Sequence, residues 1–87
     1  MALDLDETLI HTEFNRPRLR QRAKVIMNMK PEGIGYVLYR PGVIDFLKSV
    51  TQLYEVAIFT ASVKEYADPI IDGLEAACGY SFYRLYR

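Results

Sequence analysis

Residues 2 to 11 read "ALDLDETLIH", an apolar run into which two aspartates, Asp4 and Asp6, are set one residue apart. Alternating apolar positions from Ala2 to Leu5 predict the end of a β-strand. Side chains alternate along a strand, so the spacing predicts that both carboxylates project to one side, each raising the cost of ionising the other. Such a pair needs a cation, a shared proton, or both. Alone, Asp-x-Asp has a plainer explanation, because aspartates flank turns and cap helices. The rest of the chain has to decide between the two.

Outward from that stretch, "DETLIHTEF" reads as a turn away from the strand. Residues 16 to 24, "RPRLRQRAK", hold five Arg or Lys without periodicity and read as an exposed, solvated loop. "KVIMNM", the turn "KPEG" and "IGYVLYR" predict a β-hairpin over about 23–40. Pro41 and Gly42 then open a helix to about Gln52, with Val43, Ile44, Phe46, Leu47, Val50 and Leu53 at helical spacing. "YEVAIFT", Tyr54 to Thr60, is a continuous apolar run ending in a hydroxyl, as in a buried parallel strand. A second helix is predicted from about Val63 to Cys78, with Asp68 and Pro69 breaking or kinking its start. "YSFYRLYR" reads as a third strand or an extended exit. Strands alternating with helices imply an α/β fold with a parallel sheet and a β-hairpin inserted after the first strand.

Composition narrows the function. Eleven basic and eleven acidic residues leave no bulk charge to draw the chain to nucleic acid or a membrane surface. No apolar stretch approaches the roughly 20 residues that span a bilayer. The single Cys78, in "IIDGLEAACG", reads as a small buried thiol, which suits a reducing compartment, the nucleus or the cytoplasm. Three core strands are few for such a sheet, so an unpaired edge open to dimerisation is expected.

Ligands of open α/β sheets sit beyond the carboxyl ends of the strands. If the first strand and Tyr54–Thr60 are parallel neighbours, Asp4, Asp6 and Thr60 meet at one edge. There the two carboxylates suit Mg²⁺, with a substrate phosphate completing its octahedron. One carboxylate is placed to attack phosphorus while the other moves a proton. Thr60 and the backbone N–H groups that follow it, from Ala61, would receive phosphoryl oxygens.

"LDLDETLIH", "YRPGVIDFL" and "FTASVKEYADPIID", in this order and spacing, resemble the protein phosphatases that act on the carboxy-terminal domain of RNA polymerase II, a branch of the haloacid dehalogenase superfamily. The likeness runs nearly end to end. It implies the N-terminal part of a Rossmann-type phosphatase domain. It also implies Asp4 as the nucleophile that forms an aspartyl-phosphate, Asp6 as general acid and base and Mg²⁺ ligand, and Thr60 as phosphoryl-binding. Thr8 steadies the first motif. The hairpin matches the family's small insertion beside the substrate groove, with Phe14, Ile26, Val63 and Arg87 as groove residues. Asn28 and Gly35 stand where larger apolar side chains are expected, which leaves a proline-directed preference without support. His11 reads as a structural histidine, and Tyr36, Tyr39, Phe46, Tyr54, Phe59 and Tyr66 as packing residues.

The family's third motif, a lysine, and its fourth, an acidic pair often within "DNS", normally follow the point corresponding to Arg87. The resemblance therefore implies a fragment with weak Mg²⁺ binding and little activity of its own. The substrate it implies is a phosphorylated protein segment like the polymerase domain. One alternative is a non-catalytic binding module of the same fold, which the intact Asp4 and Asp6 oppose. Another is a nuclear-envelope phosphatase acting on a lipid-regulating protein.

Overall fold

The computed structural model describes all 87 residues. In chain order the elements are β1 (Ala2–Asp4), β2 (Ile10–Phe14), a 3-10 turn (Pro17–Leu19), β3 (Val25–Met29), β4 (Gly33–Tyr39), α1 (Val43–Leu53), β5 (Ala57–Phe59), α2 (Lys64–Cys78) and β6 (Tyr83–Leu85). They form two sheets. A parallel sheet has the order β1-β5-β6, and an antiparallel sheet inserted between β1 and α1 has the order β2-β4-β3.

The parallel sheet is as the alternation of apolar runs and helical stripes implies. Its central strand is shorter than the apolar run suggests, because Tyr54 caps α1, donating its N–H to Val50 O at 2.9 Å, and only Ala57–Phe59 pair. Leu5, Val56, Ile58 and Phe82 from the strands and their ends meet Leu47 of α1 and Ala67, Ile70, Ile71 and Leu74 of α2 in one core. Those four α2 residues recur at the spacing of one helical face.

That face explains a departure from the sequence reading. Asp68 and Pro69 do not break α2, which runs through them. An interior proline costs about 3 kcal/mol, through a lost N–H and a clash with the preceding turn. Full burial of Ile70, Ile71 and Leu74, each 0% exposed, returns about 1.5–3 kcal/mol per side chain, so packing wins. Gly79, at φ 77, then ends the helix in the left-handed conformation and donates its N–H to Glu75 O at 2.8 Å.

A second departure concerns Ile10–Phe14, which is not an outward turn but the third strand of the inserted sheet. It pairs antiparallel with β4 from Ile10 opposite Tyr39 to Phe14 opposite Gly35. "IHTEF" sets the strand-favouring Ile10, Thr12 and Phe14 at alternate positions, but over five residues only. Burial of Ile10 in the core and the free edge of β4 hold it there. Cys78 is half-buried rather than enclosed.

Candidate active site

β1 ends at Asp4, opposite Phe59 of β5, so the residues after each strand emerge at the same sheet edge. Leu5, fully buried, anchors the next turn. Its N–H donates to Phe59 O at 3.0 Å, and its carbonyl accepts from the N–H groups of Leu9 at 3.0 Å and Ile10 at 3.2 Å. Within this turn Glu7 sits at φ 62, a left-handed conformation that L side chains rarely adopt. Arg40 Nη2 holds it by donating to Glu7 O at 2.9 Å, and His11 Nδ1 lies 2.8 Å from Glu7 Oε1.

Because the strand stops at Asp4, a turn rather than strand pleating relates Asp4 to Asp6. The expectation that Asp4 and Asp6 both belong to the strand is corrected to this extent: Asp4 ends it and Asp6 follows in the turn. Asp4 is exposed and its side chain makes no hydrogen bond, whereas Asp6 is half-buried and borders a cleft.

Asp6 is held by hydroxyl groups from two later elements. Thr60 Oγ1 donates to Asp6 Oδ2 at 2.9 Å, Ser62 Oγ reaches the same oxygen at 3.5 Å, and Tyr66 OH donates to Oδ1 at 3.3 Å. Thr60, 3% exposed, is the one buried polar side chain of the chain, and its oxygen also accepts from Ser62 N–H at 3.0 Å. Its single proton therefore points at Asp6. Thr60 N–H donates to Leu85 O at 3.0 Å and Ser62 N–H to Thr60 Oγ1, so in the loop after β5 the Ala61 and Val63 N–H groups remain unpaired. Thr12 Oγ1 lies 2.8 Å from Tyr66 OH, and with the tyrosine proton on Asp6, Thr12 is the donor. Burial pushes the Tyr66 phenol above its ordinary value; the Thr12 bond opposes this and Asp6 adds to it, so Tyr66 stays a donor.

The cleft encloses about 660 Å³. Phe14, Met27, Met29 and Val63 give it apolar walls beside Asp6 and Tyr66, and Asn28, Lys30 and Glu32 border it from β3 and the following turn. Of the four residues expected in a substrate groove, Phe14 and Val63 line it. Ile26 and Arg87 do not: Ile26 is in register with Tyr36, which opposes Glu13 rather than Phe14, and Arg87 is exposed at the chain end without an ion pair. A side chain on Gly35 would have its Cβ 2.7 Å from Met29 Sδ. The volume that a larger residue would occupy at position 35 is thus supplied from the neighbouring strand.

Asp4 and Asp6 are the carboxylates that end β1 and its turn, and no group of three or more His, Cys, Asp or Glu is arranged to hold a metal ion by itself. Mg²⁺ is commonly held by one or two carboxylates with water and phosphate oxygens, so the donor set fits a cation whose shell is completed by substrate.

Sequence reasoning missed Ser62, Thr12 and Tyr66 as partners of this site, and Met29 in the cleft. Tyr66 carried a signal, standing on the first turn of the helix that leaves the Thr60 loop. Thr12 carried none, because its strand was not recognised.

The description of NLI interacting factor-like phosphatases matches residues 1–87. The chain is 41% identical to the human carboxy-terminal domain RNA polymerase II polypeptide A small phosphatase 2 over 90 aligned residues, covering 100% of this chain and 32% of that protein. It is 39% identical to a probable C-terminal domain small phosphatase of Dictyostelium discoideum, again covering 100% of this chain and 28% of that one. The solved structure of Fcp1, an essential RNA polymerase II CTD phosphatase, superposes with a TM-score of 0.76 at 25% identity, over 99% of this chain and 29% of that one. The chain thus spans less than a third of the length of these relatives. With every residue matched and the same α/β architecture, this chain belongs to the NLI interacting factor-like phosphatase family of haloacid dehalogenase-type folds.

Proposed function

We propose that these residues carry the nucleophile and the proton-handling group of a Mg²⁺-dependent protein serine/threonine phosphatase, acting in the nucleus on phosphorylated segments like the RNA polymerase II carboxy-terminal domain. One observation carries the reading: Asp6 is oriented by the Thr60 hydroxyl at 2.9 Å, while Asp4, two residues away, is exposed and free of hydrogen bonds. One carboxylate is held and the other is free to react.

In this mechanism an Asp4 oxygen bonds to phosphorus, the phosphorus–oxygen ester bond breaks, and a protonated Asp6 gives its proton to the leaving serine oxygen. Water then attacks the phosphoryl group, Asp6 takes back a proton, phosphate departs and the Asp4 carboxylate is restored. The unpaired Ala61 N–H is a donor for phosphoryl oxygens. Asp4 and Asp6 would hold Mg²⁺, which would supply positive charge against the phosphoryl oxygens. The family's lysine and acidic-pair motifs match no residue of 1–87, and one preorganised electrostatic donor is worth about 10² to 10³ in rate. The 87 residues alone are therefore expected to turn over slowly, so the test is adduct formation. Beryllofluoride with Mg²⁺ is expected to give bound fluorine resonances in ¹⁹F NMR that Asp4→Asn abolishes. No adduct at millimolar reagent, or one that persists in Asp4→Asn, overturns the reading.

A further inference from the structure

Residues 16 to 24 hold five of the eleven basic side chains and no acid, so the remainder of this neutral chain carries five more acids than bases. A solvated run would be mobile, but this one is built. The N–H groups of Leu19, Arg20, Arg22 and Ala23 donate to carbonyls within the loop at 2.9–3.1 Å, and Lys24 N–H reaches Val37 O at 2.8 Å. Leu19, 8% exposed, and Tyr36, 3% exposed, are the two buried apolar side chains outside the main core, so the loop has its own anchor. Arg16 reaches Glu13 at 3.5 Å, and Lys24 lies 5.8 Å from the centroid of the Tyr39 ring. Arg18, Arg20 and Arg22 are exposed and form no ion pair, Arg18 acting on Glu13 only from a distance.

We propose that Arg18, Arg20 and Arg22 are a docking site for additional phosphates on the same phosphoprotein whose phosphoserine enters the cleft, an assignment that rests on the phosphatase reading. Guanidinium groups form two-pronged hydrogen bonds with phosphate, and holding three of them on an ordered loop lowers the entropic cost of binding. The loop leaves β2 just beyond Phe14, which lines the cleft. Asn15 ties that junction to the cleft rim: its side chain donates to Glu32 O and accepts from Ile34 N–H, both at 3.1 Å. Arg22 lies eight positions beyond Phe14, so an extended substrate needs no more than about eight residues, at about 3.3–3.6 Å each, to span the same distance. Other polyanions fit less well. A membrane-binding loop inserts apolar side chains, and the loop's one leucine is buried inward. Single-stranded nucleic acid stacks on aromatic rings, and residues 16–24 contain none.

The test measures fluorescence anisotropy of peptides with one phosphoserine, or with a second placed four, six or eight residues away. At one spacing or more the second phosphate is expected to tighten binding by about tenfold or more at low salt, below the usual gain from linked sites. R18Q/R20Q/R22Q is expected to abolish that gain and leave affinity for the singly phosphorylated peptide unchanged. R18K/R20K/R22K, which keeps charge but loses the fork, is expected to retain only part of it. Equal binding of singly and doubly phosphorylated peptides at every spacing overturns the proposal, as does a gain that survives R18Q/R20Q/R22Q. Arginine-dependent binding of phosphatidylserine vesicles or an RNA oligomer, without a phosphopeptide gain, overturns it in favour of those partners. The beryllofluoride adduct separates the two readings, because its absence beside a persistent gain sinks the phosphatase and keeps the docking site.

Discussion

Thr60 Oγ1 donates to Asp6 Oδ2 across 2.9 Å, joining the ends of two parallel strands that lie 54 residues apart in the chain. The same oxygen accepts from Ser62 N–H, so one buried hydroxyl fixes both the carboxylate and the loop that follows β5.

Thr60→Val, close in shape, removes the donor to Asp6 and leaves the Ser62 N–H without its acceptor. An orphaned polar group of this kind costs about 1–3 kcal/mol, whereas Thr60→Ser keeps the hydroxyl and is expected to lose less. Urea denaturation of both variants checks this, and equal losses would show that the methyl group rather than the hydroxyl matters.

Tyr66→Phe deletes the second donor to Asp6 and the acceptor of Thr12 at 2.8 Å. A stability loss of about 0.5–1.5 kcal/mol is expected. Because burial raises the phenol's pKa in the folded protein, wild-type stability is expected to fall as pH rises beyond the ordinary tyrosine value near 10. Tyr66→Phe should flatten that alkaline limb, and a limb unchanged by the substitution would remove Tyr66 as its cause.

His11 places Nε2 2.7 Å from Glu13 and Nδ1 2.8 Å from Glu7, and these hydrogen bonds, Glu13's first, raise its pKa above 6.5. Arg16, Arg18 and Arg40 are the cations facing those carboxylates. A raised folded pKa means that the stabilisation is complete below about 6.5 and is lost as pH climbs through the folded value. With the side chain 35% exposed, the effect belongs with surface pairs, about 0.2–1 kcal/mol. Denaturant midpoints taken between about pH 6 and 9 should decline in the wild type and stay level in His11→Asn.

Asp68 accepts hydrogen bonds from Tyr86, Lys64 and Arg84, in that order of effect, which hold its carboxyl far below the ordinary range. Arg84 also bridges Asp72 at 2.7 Å and Glu75 at 2.9 Å, tying β6 to α2. A depressed folded pKa gives stability above the ordinary carboxylate value that disappears as pH falls through the folded one. Tyr86→Phe is expected to move the Asp68 titration upward in carboxyl ¹³C NMR and to make the chain unfold at higher pH on acidification. An unmoved titration would assign the depression to the two cations alone.

Much of the architecture was legible because periodicity is local. The apolar run ending at Thr60, the helical stripe Ala67, Ile70, Ile71, Leu74 and the turn at Pro31 and Gly33 each declare their element within a dozen residues. β2 was missed although Ile10, Thr12 and Phe14 alternate, because a five-residue run directly after a turn is a short signal and its partners in β4 lie more than twenty residues on. Pro69 misled for the converse reason: a local breaker yields when three fully buried side chains follow it.

The sequence by itself determined the two helices, the hairpin, the parallel α/β order and the gathering of Asp4, Asp6 and Thr60 at one sheet edge, but not β2. Only the tertiary structure decided that Asp6 faces the cleft within a hydroxyl network while Asp4 is exposed and free of hydrogen bonds. It also decided that Met29 fills the space over Gly35, and that the arginine run is an anchored loop. Thr60 and Tyr66 converge on Asp6 from the end of β5 and from α2, and Thr12 of β2 bonds to the Tyr66 hydroxyl behind them. Such convergence follows from strand pairing and crossovers between distant segments, which no local period encodes.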